Sequence, residues 1–415
     1  MIKNFKLTNG IRVVMEEIPF LQSVSIGIWV KAGSVDEDKD NYGISHFIEH
    51  MLFKGTTNRS AKEIAQDIDK IGGQINAFTS KESTCYYVKS LKTSVVPACD
   101  VLIDMFTNSI FDEIEIEKER RVVLEEINMV EDSPEDYTHD ALYEVLFKGE
   151  PLSTPILGTK KTLHNINQSI IKKYIEDEYT CDNIVIAVAG NYDENQILEI
   201  FENKFSALKP SKKDKEITNK IYAPNFKSKA KDIEQSHICL GTIGVNLDHE
   251  LYYPMAIVNN IMGGSMSSRL FQNIREEKGM AYSVYSFTSS YVNNGFYGIY
   301  AGVSHDKVDE TVGAIIHELK YLEKNGVTET ELKTAKEQIK GHHIFSLESV
   351  SGRMAALGKN TLLMNKVFEA EEIISSIDKV TLDDILKVSE LITDIKAYSG
   401  VLLSKSKKDL QKLII

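Results

Sequence analysis

Strand-period and helix-period patterns alternate along the chain. Phe5-Lys6-Leu7-Thr8 and Ile11-Arg12-Val13-Val14 flank Asn9-Gly10, a two-residue turn signal that predicts a hairpin. Val24, Ile26, Ile28 and Val30 recur with period two, which predicts a strand with one apolar face. Helical spacing over 44–54 and 61–71 gives way to strand patterns at 74–80 and 83–91. Long helical patterns follow over about 93–108 and 113–131. Asn183-Ile-Val-Ile-Ala-Val-Ala189 ends at Gly190-Asn191 and predicts a buried strand.

The second half repeats this order. A strand pattern (238–245) precedes a helix (251–262), a Gly/Ser turn (263–268), a helix (268–278), strands (281–289, 295–303) and helices (306–325, 328–345). Strand 395–403 corresponds to 183–189. Two copies of about 200 residues, without short-period repetition, indicate duplication and not a solenoid. Between them, nine lysines from Lys204 to Lys231 and two prolines, Pro210 and Pro224, predict a solvated linker. The expected domains are 1–207, a linker over 208–232, and 233–415.

Composition narrows the function. The 61 acidic residues outnumber the 48 basic ones for a net charge of −13, a poor match to nucleic-acid binding. No apolar run is long enough to span a bilayer, and Met1 to Glu16 lacks the basic and apolar regions of a secretory signal. Cys85, Cys99, Cys181 and Cys239 lie far apart, as expected of buried or free thiols in a reducing compartment. The expected location is the cytoplasm, with no membrane partner.

Candidate chemistry concentrates in Gly43-Ile-Ser-His46-Phe-Ile-Glu49-His50-Met-Leu-Phe-Lys-Gly55, read as a helix that stops at Gly55. At about 100° per residue, His46, Glu49 and His50 share one face, with Phe47, Ile48, Met51 and Leu52 opposite. Imidazoles at i and i+4 can meet one metal ion, and a carboxylate between them is placed to activate water there. The order H-x-x-E-H is the inverzincin motif. Two surface histidines on an amphipathic helix would give the same five-residue pattern.

A zinc protease needs a third protein ligand, commonly Glu. Over 112–131, Glu119 and Glu126 fall on the stripe of Val122, Val123 and Val130, with Arg121, Glu125 and Asn128 on the polar face. A carboxylate on a buried stripe is costly unless paired, and a metal would satisfy one of the two. An ordinary Glu-rich helix with a partly solvated stripe is the competing reading.

His46-Phe-Ile-Glu49-His50, with Glu126 76 positions beyond His50, resembles the pitrilysin, insulin-degrading enzyme and mitochondrial processing peptidase family, closest to its bacterial single-half members. The resemblance implies one zinc per chain held by His46, His50 and Glu126, with Glu49 as general base and Glu119 near the site. Gly72 to Thr79 and Glu82 to Tyr86 look like the family's substrate-facing strand, and Asn76, Ala77 and Thr79 are the residues it implies for peptide binding. Pro155-Ile156-Leu157-Gly158 and Tyr179 also fit. In the second half, Arg275 and Tyr282 resemble the family's Arg/Tyr pair, which holds the substrate and stabilises the oxyanion. The scattered histidines His237, His249, His305, His317, His342 and His343 have a structural reading.

The expectation is an α+β chain of two homologous domains, each a mostly antiparallel sheet packed with helices. Together they would form one half of a clamshell chamber. The expected activity is zinc-dependent endoproteolysis of peptides or short unfolded segments, with basic or extended peptides favoured by the acidic balance. A homodimer would suffice, since both half-sites are present. The alternatives are a non-catalytic peptide-binding or scaffold subunit, and a metal-dependent hydrolase of a non-peptide substrate.

Overall fold

A computed structural model describes residues 1–210 and 222–414. The chain divides into two compact units, neither contiguous in sequence. The first takes Met1–Asn128, residues 154–210 and Phe345–Glu369. The second takes Met129–Ser153, residues 222–344 and the chain from Ala370. Residues 211–221, the middle of the expected linker, lie outside the described residues.

The first unit holds strands β1 (Ile2–Lys6), β2 (Arg12–Glu17), β3 (Ser23–Val30), β4 (Gln74–Thr79), β5 (Thr84–Leu91) and β6 (Ile184–Gly190) in the order β1-β2-β6-β3-β5-β4. All pairs are antiparallel except β2 with β6. The first half of the chain contributes helices α1 (Ile44–Leu52), α2 (Ala61–Lys70), α3 (Val95–Asn108), α4 (Glu113–Asp132), α5 (Pro134–Leu146), α6 (Lys160–Asn165), α7 (Gln168–Glu178) and α8 (Glu194–Phe205).

The second unit's sheet repeats the topology. Its strands are β7 (Phe226–Ala230), β8 (Ser236–Ile243), β9 (Ala281–Ser290), β10 (Gly295–Val303) and β11 (Ser399–Ser404), in the order β7-β11-β8-β10-β9. The β7–β11 pair is parallel and the others antiparallel. Replacing β2, β6, β3, β5 and β4 by β7, β11, β8, β10 and β9 superimposes one order on the other, parallel pair included. The strand β7 lies inside the segment expected to be linker, so part of that lysine-rich stretch is an edge strand. The helices are α9 (Tyr252–Met262), α10 (Val308–Asn325), α11 (Glu329–Ser346), α12 (Val350–Met364), α13 (Ala370–Asp378), α14 (Leu382–Thr393) and α15 (Gln411–Ile414). The expected helix at 268–278 contains a π-helical stretch, Phe271–Glu277.

Each unit borrows a helix from the other half of the sequence. In the first, α12 packs on β3, β6 and β2; in the second, α5 packs on β11 and β8. This corrects the expectation of a one-faced strand at 24–30. From Val24 to Val30 every residue of β3 is buried. Ile26 and Ile28 join the core with Phe47 and Ile48 of α1. On the reverse face, Trp29 Nε1 lies 3.4 Å from Met354 Sδ, and a Cβ on Gly27 would sit 2.3 Å from that sulfur. In the second unit, a Cβ on Gly241 of β8 would sit 2.9 Å from Leu146 of α5. A glycine in a central strand makes room for the exchanged helix in both sheets.

The start of α1 is fixed by a backbone crossing. Gly43 (φ +93°) and Gly158 (φ +70°) face each other, and a Cβ on Gly158 would lie 2.1 Å from the Tyr42 carbonyl oxygen. Thr162 Oγ1 donates to that same carbonyl at 2.7 Å. Gly149 also has positive φ (+84°) but nothing within 4 Å of its would-be Cβ. Gly149→Ala is therefore expected to lose only about 1–2 kcal/mol of left-handed backbone strain. Gly158→Ala should lose clearly more in denaturant unfolding, because the crossing must also open. Equal losses would mean that the crossing carries no packing energy.

Candidate metal centre

The helix α1 sorts its residues as the spacing predicts. Ile44, Phe47, Ile48, Met51 and Leu52 are buried, each aliphatic or aromatic side chain contributing about 1.5–3 kcal/mol of burial. His46, Glu49 and His50 are on the other side. The long helix α4 faces them. Its buried line is Ile116, Glu119, Arg120, Val123 and Ile127, which differs from the expected stripe. Val122 is 44% exposed, and Arg120 replaces it inside. The Arg120 guanidinium donates to the carbonyls of Leu163 and Ile166, tying α4 to the end of α6. Those two carbonyls accept from the guanidinium and so satisfy a buried cation.

The structure brings His46, His50 and Glu126 together. One donor atom from each lies within 4.8 Å of the others, and among the described residues this is the single such group. Glu126 Oε2 is 3.8 Å from His46 Nε2 and 3.6 Å from His50 Nε2. The ring centroids of the two histidines are 4.7 Å apart. Glu126 Oε2 is buried without a hydrogen-bond partner. An unsatisfied carboxylate oxygen facing two imidazole nitrogens is a donor set that fits a divalent ion of zinc's type. Burial, and then the neighbouring His50, push the His46 pKa down to about 3, so its imidazole is in the neutral, ligating form near pH 7.

Glu119 and Glu49 complete the surroundings. Glu119, 5% exposed, accepts at Oε2 from His50 Nδ1 at 3.1 Å, which turns Nε2 toward Glu126. Its Oε1 is 2.6 Å from Lys54 Nζ. Sequence reasoning missed Lys54; the one available signal was its position four residues after His50. Glu49 Oε2 accepts from Thr79 Oγ1 at 2.5 Å. Burial raises the Glu49 pKa, partly opposed by that hydroxyl and by His50. Behind Glu49, the Tyr86 and Tyr179 hydroxyls share a 2.8 Å hydrogen bond in the core.

The remaining candidates are placed as follows. Asn76, Ala77 and Thr79 lie on β4, the edge strand of the first sheet. Asn76 is exposed, and its Oδ1 accepts from the Ala77 N–H at 2.9 Å. Tyr86 is on interior strand β5 and buried. In the second unit, Arg275 stacks over Phe271, 4.7 Å from the ring centroid, and Tyr282 is 64% exposed at the start of β9. His237 pairs with Tyr300 at 2.7 Å and His305 with Ser236 at 2.8 Å, both structural contacts.

Two family models match the chain. Insulinase (peptidase family M16) covers residues 12–160, and the peptidase M16 inactive domain covers 165–339. The chain is 44% identical to the uncharacterized zinc protease YmxG of Bacillus subtilis, over 98% of this chain and 99% of that protein. It is 39% identical to an uncharacterized zinc protease of Rickettsia felis, over 94% and 96% of the two chains. The chain therefore belongs to the M16, insulinase-like peptidase family. Three solved structures share the fold. A peptidase M16 inactive domain from Pseudomonas fluorescens matches at TM-score 0.91 and 19% identity, covering 98% of both chains. A Helicobacter pylori protease matches at 0.89 and 22%, covering 97% of this chain and 99% of that one. A chain of Complex III2 from Candida albicans matches at 0.85 and 19%, covering 100% and 99%.

The Lys54–Glu119 contact is more buried than a surface ion pair, with side chains 29% and 7% exposed. A double-mutant cycle of Lys54→Met and Glu119→Gln on metal-free protein should give a coupling above the roughly 0.2–1 kcal/mol of exposed pairs. A coupling within that range would show that solvent screens the pair.

Proposed function

We propose that the chain is a zinc-dependent endopeptidase that cuts peptides or short unfolded segments. The observation that carries this is the convergence of His46, His50 and the unpaired Glu126 oxygen beside Glu49. His46, His50 and Glu126 would hold one zinc per chain. When bound, the ion supplies Lewis acidity to the scissile carbonyl and to water.

The chain's own groups do the rest. Glu49 takes the proton of the attacking water and passes it to the leaving amine, and its burial-raised pKa suits that exchange. Thr79 Oγ1 orients the Glu49 carboxylate. Glu119, through the His50 Nδ1–H, holds the imidazole in the tautomer that ligates through Nε2. An extended peptide would pair along the edge of β4 at Asn76 and Ala77. That pairing requires the Asn76 side chain to release the Ala77 N–H.

Arg275 and Tyr282 would act on the peptide bound at a partner protomer's zinc, as the family resemblance implies. The phenol would stabilise the oxyanion and the guanidinium the peptide backbone. A homodimer then contains everything the reaction needs. The cytoplasm is the proposed location; no helix among the described residues is long and apolar enough to cross a membrane.

Digestion of a mixture of unstructured peptides, read by mass spectrometry, tests the activity. Wild type should make internal cuts that a chelator blocks. Glu49→Gln should lose about 100-fold or more of the rate, the usual weight of a general base, while still binding zinc. No cuts by folded, zinc-loaded wild type would favour a peptide-binding scaffold. Mixing Glu49→Gln with Tyr282→Phe protein under subunit exchange tests the shared site. Each alone should be nearly inactive, and the mixture should regain activity. No recovery after demonstrated exchange would sink the trans arrangement.

A further inference from the structure

We propose that Glu37 is a positioning residue for the metal centre: its carboxylate is the missing N-cap of α1 and sets where His46 stands. The inference rests on reading His46, His50 and Glu126 as metal ligands.

A helix start leaves backbone N–H groups unpaired, and Ser, Thr, Asp or Asn at the N-cap ordinarily accepts one of them. Several helices here do this, with Ser60, Ser133, Asn167, Asp193 and Thr381 as caps. The helix α1 cannot. Its N-cap is Gly43, which makes no side-chain cap. A Cβ there would meet the Leu157 carbonyl oxygen at 2.6 Å, and the backbone is at φ +93°. The crossing with Gly158 thus denies the helix its own capping side chain.

Glu37 fills the gap from six residues upstream. A short 3-10 turn, Ser34–Asp36, brings it back to the helix start. Its Oε2 accepts from the Gly43 N–H at 2.6 Å and its Oε1 from the Ser45 N–H at 2.9 Å. The side chain is 8% exposed, so water does not replace these bonds. Ser45 is pinned a second time, its hydroxyl 2.9 Å from the Tyr174 hydroxyl. No sequence pattern pointed to Glu37, because both its partners are backbone N–H groups.

The next residue is His46. It stands in the first turn of a nine-residue helix, the part that frays first, and so short a helix has little stability of its own. His50, a turn further in, is held separately by Glu119. Losing Glu37 should therefore loosen the His46 half of the ligand set and leave the His50 half in place.

Full-length wild type, Glu37→Gln and a control, Ser60→Ala, should be compared by zinc affinity in chelator competition, melting of the metal-free protein and amide exchange over residues 43–46. Gln keeps the size but turns an NH2 group toward one of the two N–H donors. Glu37→Gln should bind zinc about tenfold more weakly, the low end for loss of a ligand-orienting partner, and lose protection at 43–46. Ser60→Ala removes the cap of α2 and should shift melting with zinc affinity unchanged. Should Glu37→Gln not fold, Glu37→Asp, one methylene short of both donors, takes its place with the same expectation. Wild-type zinc affinity in the folded variant would overturn the inference alone. Wild type that binds no zinc would overturn the reading of the site as well.

Discussion

Nine residues of α1 carry two opposed requirements. One face must be apolar enough to lock the helix into the sheet core, and the other must keep two imidazoles and a carboxylate close enough to act on one point. Helical geometry permits this only if the two sets alternate in the order His46-Phe47-Ile48-Glu49-His50-Met51-Leu52, and the burial follows that order residue by residue. A rotation of the helix by one residue would bury a histidine and expose Phe47. The packing of Phe47, Ile48, Met51 and Leu52 is thus what aims the chemistry.

Charge is the second constraint. Glu49, Glu119 and Glu126 crowd one small region beside two imidazoles. The low dielectric of a partly buried site makes like charges expensive there. Two of the three carboxylates have their own relief. Lys54 neutralises Glu119, the Thr79 hydroxyl solvates Glu49, and Glu126 has an oxygen left over. The unrelieved one is the one that faces both imidazoles. At the opposite end of the helix, donors and burial pull Glu37 in different directions. The Gly43 and Ser45 N–H groups suit its anion, whereas burial pushes its pKa up to about 8.

What the sequence showed and what it hid divide along the range of the interaction. The face shared by His46, Glu49 and His50 was legible because it needs only helical spacing. Glu119 and Glu126 were legible as carboxylates on the apolar stripe of a charged helix. The full burial of β3 was not, because its second cover, α12, comes from more than 300 residues away in the chain. Period-two alternation reads one buried face, and Gly27 and Trp29 gave no sign of facing Met354 and Gly358. The exchange of Val122 for Arg120 failed similarly: an arginine reads as surface until the two carbonyls it satisfies are known. The strand β7 was hidden in a lysine-rich stretch, since an edge strand tolerates charge on its open side. Lys54 and Glu37 act on a side chain and a helix end, and neither contact has a spacing rule.

The duplicated sheet separates fold from chemistry. The second unit has the same strand order, the same single parallel pair and the same glycine-assisted seat for a borrowed helix. Its helix α9, which follows β8 and precedes β9 as α1 follows β3 and precedes β4, carries Tyr252 to Met262 without a histidine. That unit reaches its core through Ile238, Leu240, Ile299 and Leu402 and needs no ligand set to do so. The first unit has a core of the same kind, with Ile26, Ile28, Ile186 and Val188 at its centre. Metal is then not what holds the sheet and helices together. The His46, His50 and Glu126 side chains are 14–34% exposed and sit at the edge of an apolar interior that is complete without them. On the proposed reading, His46, His50 and Glu126 would stand preorganised before an ion arrives, positioned by the crossing at Gly43 and Gly158, the carboxylate of Glu37 and the Lys54–Glu119 pair.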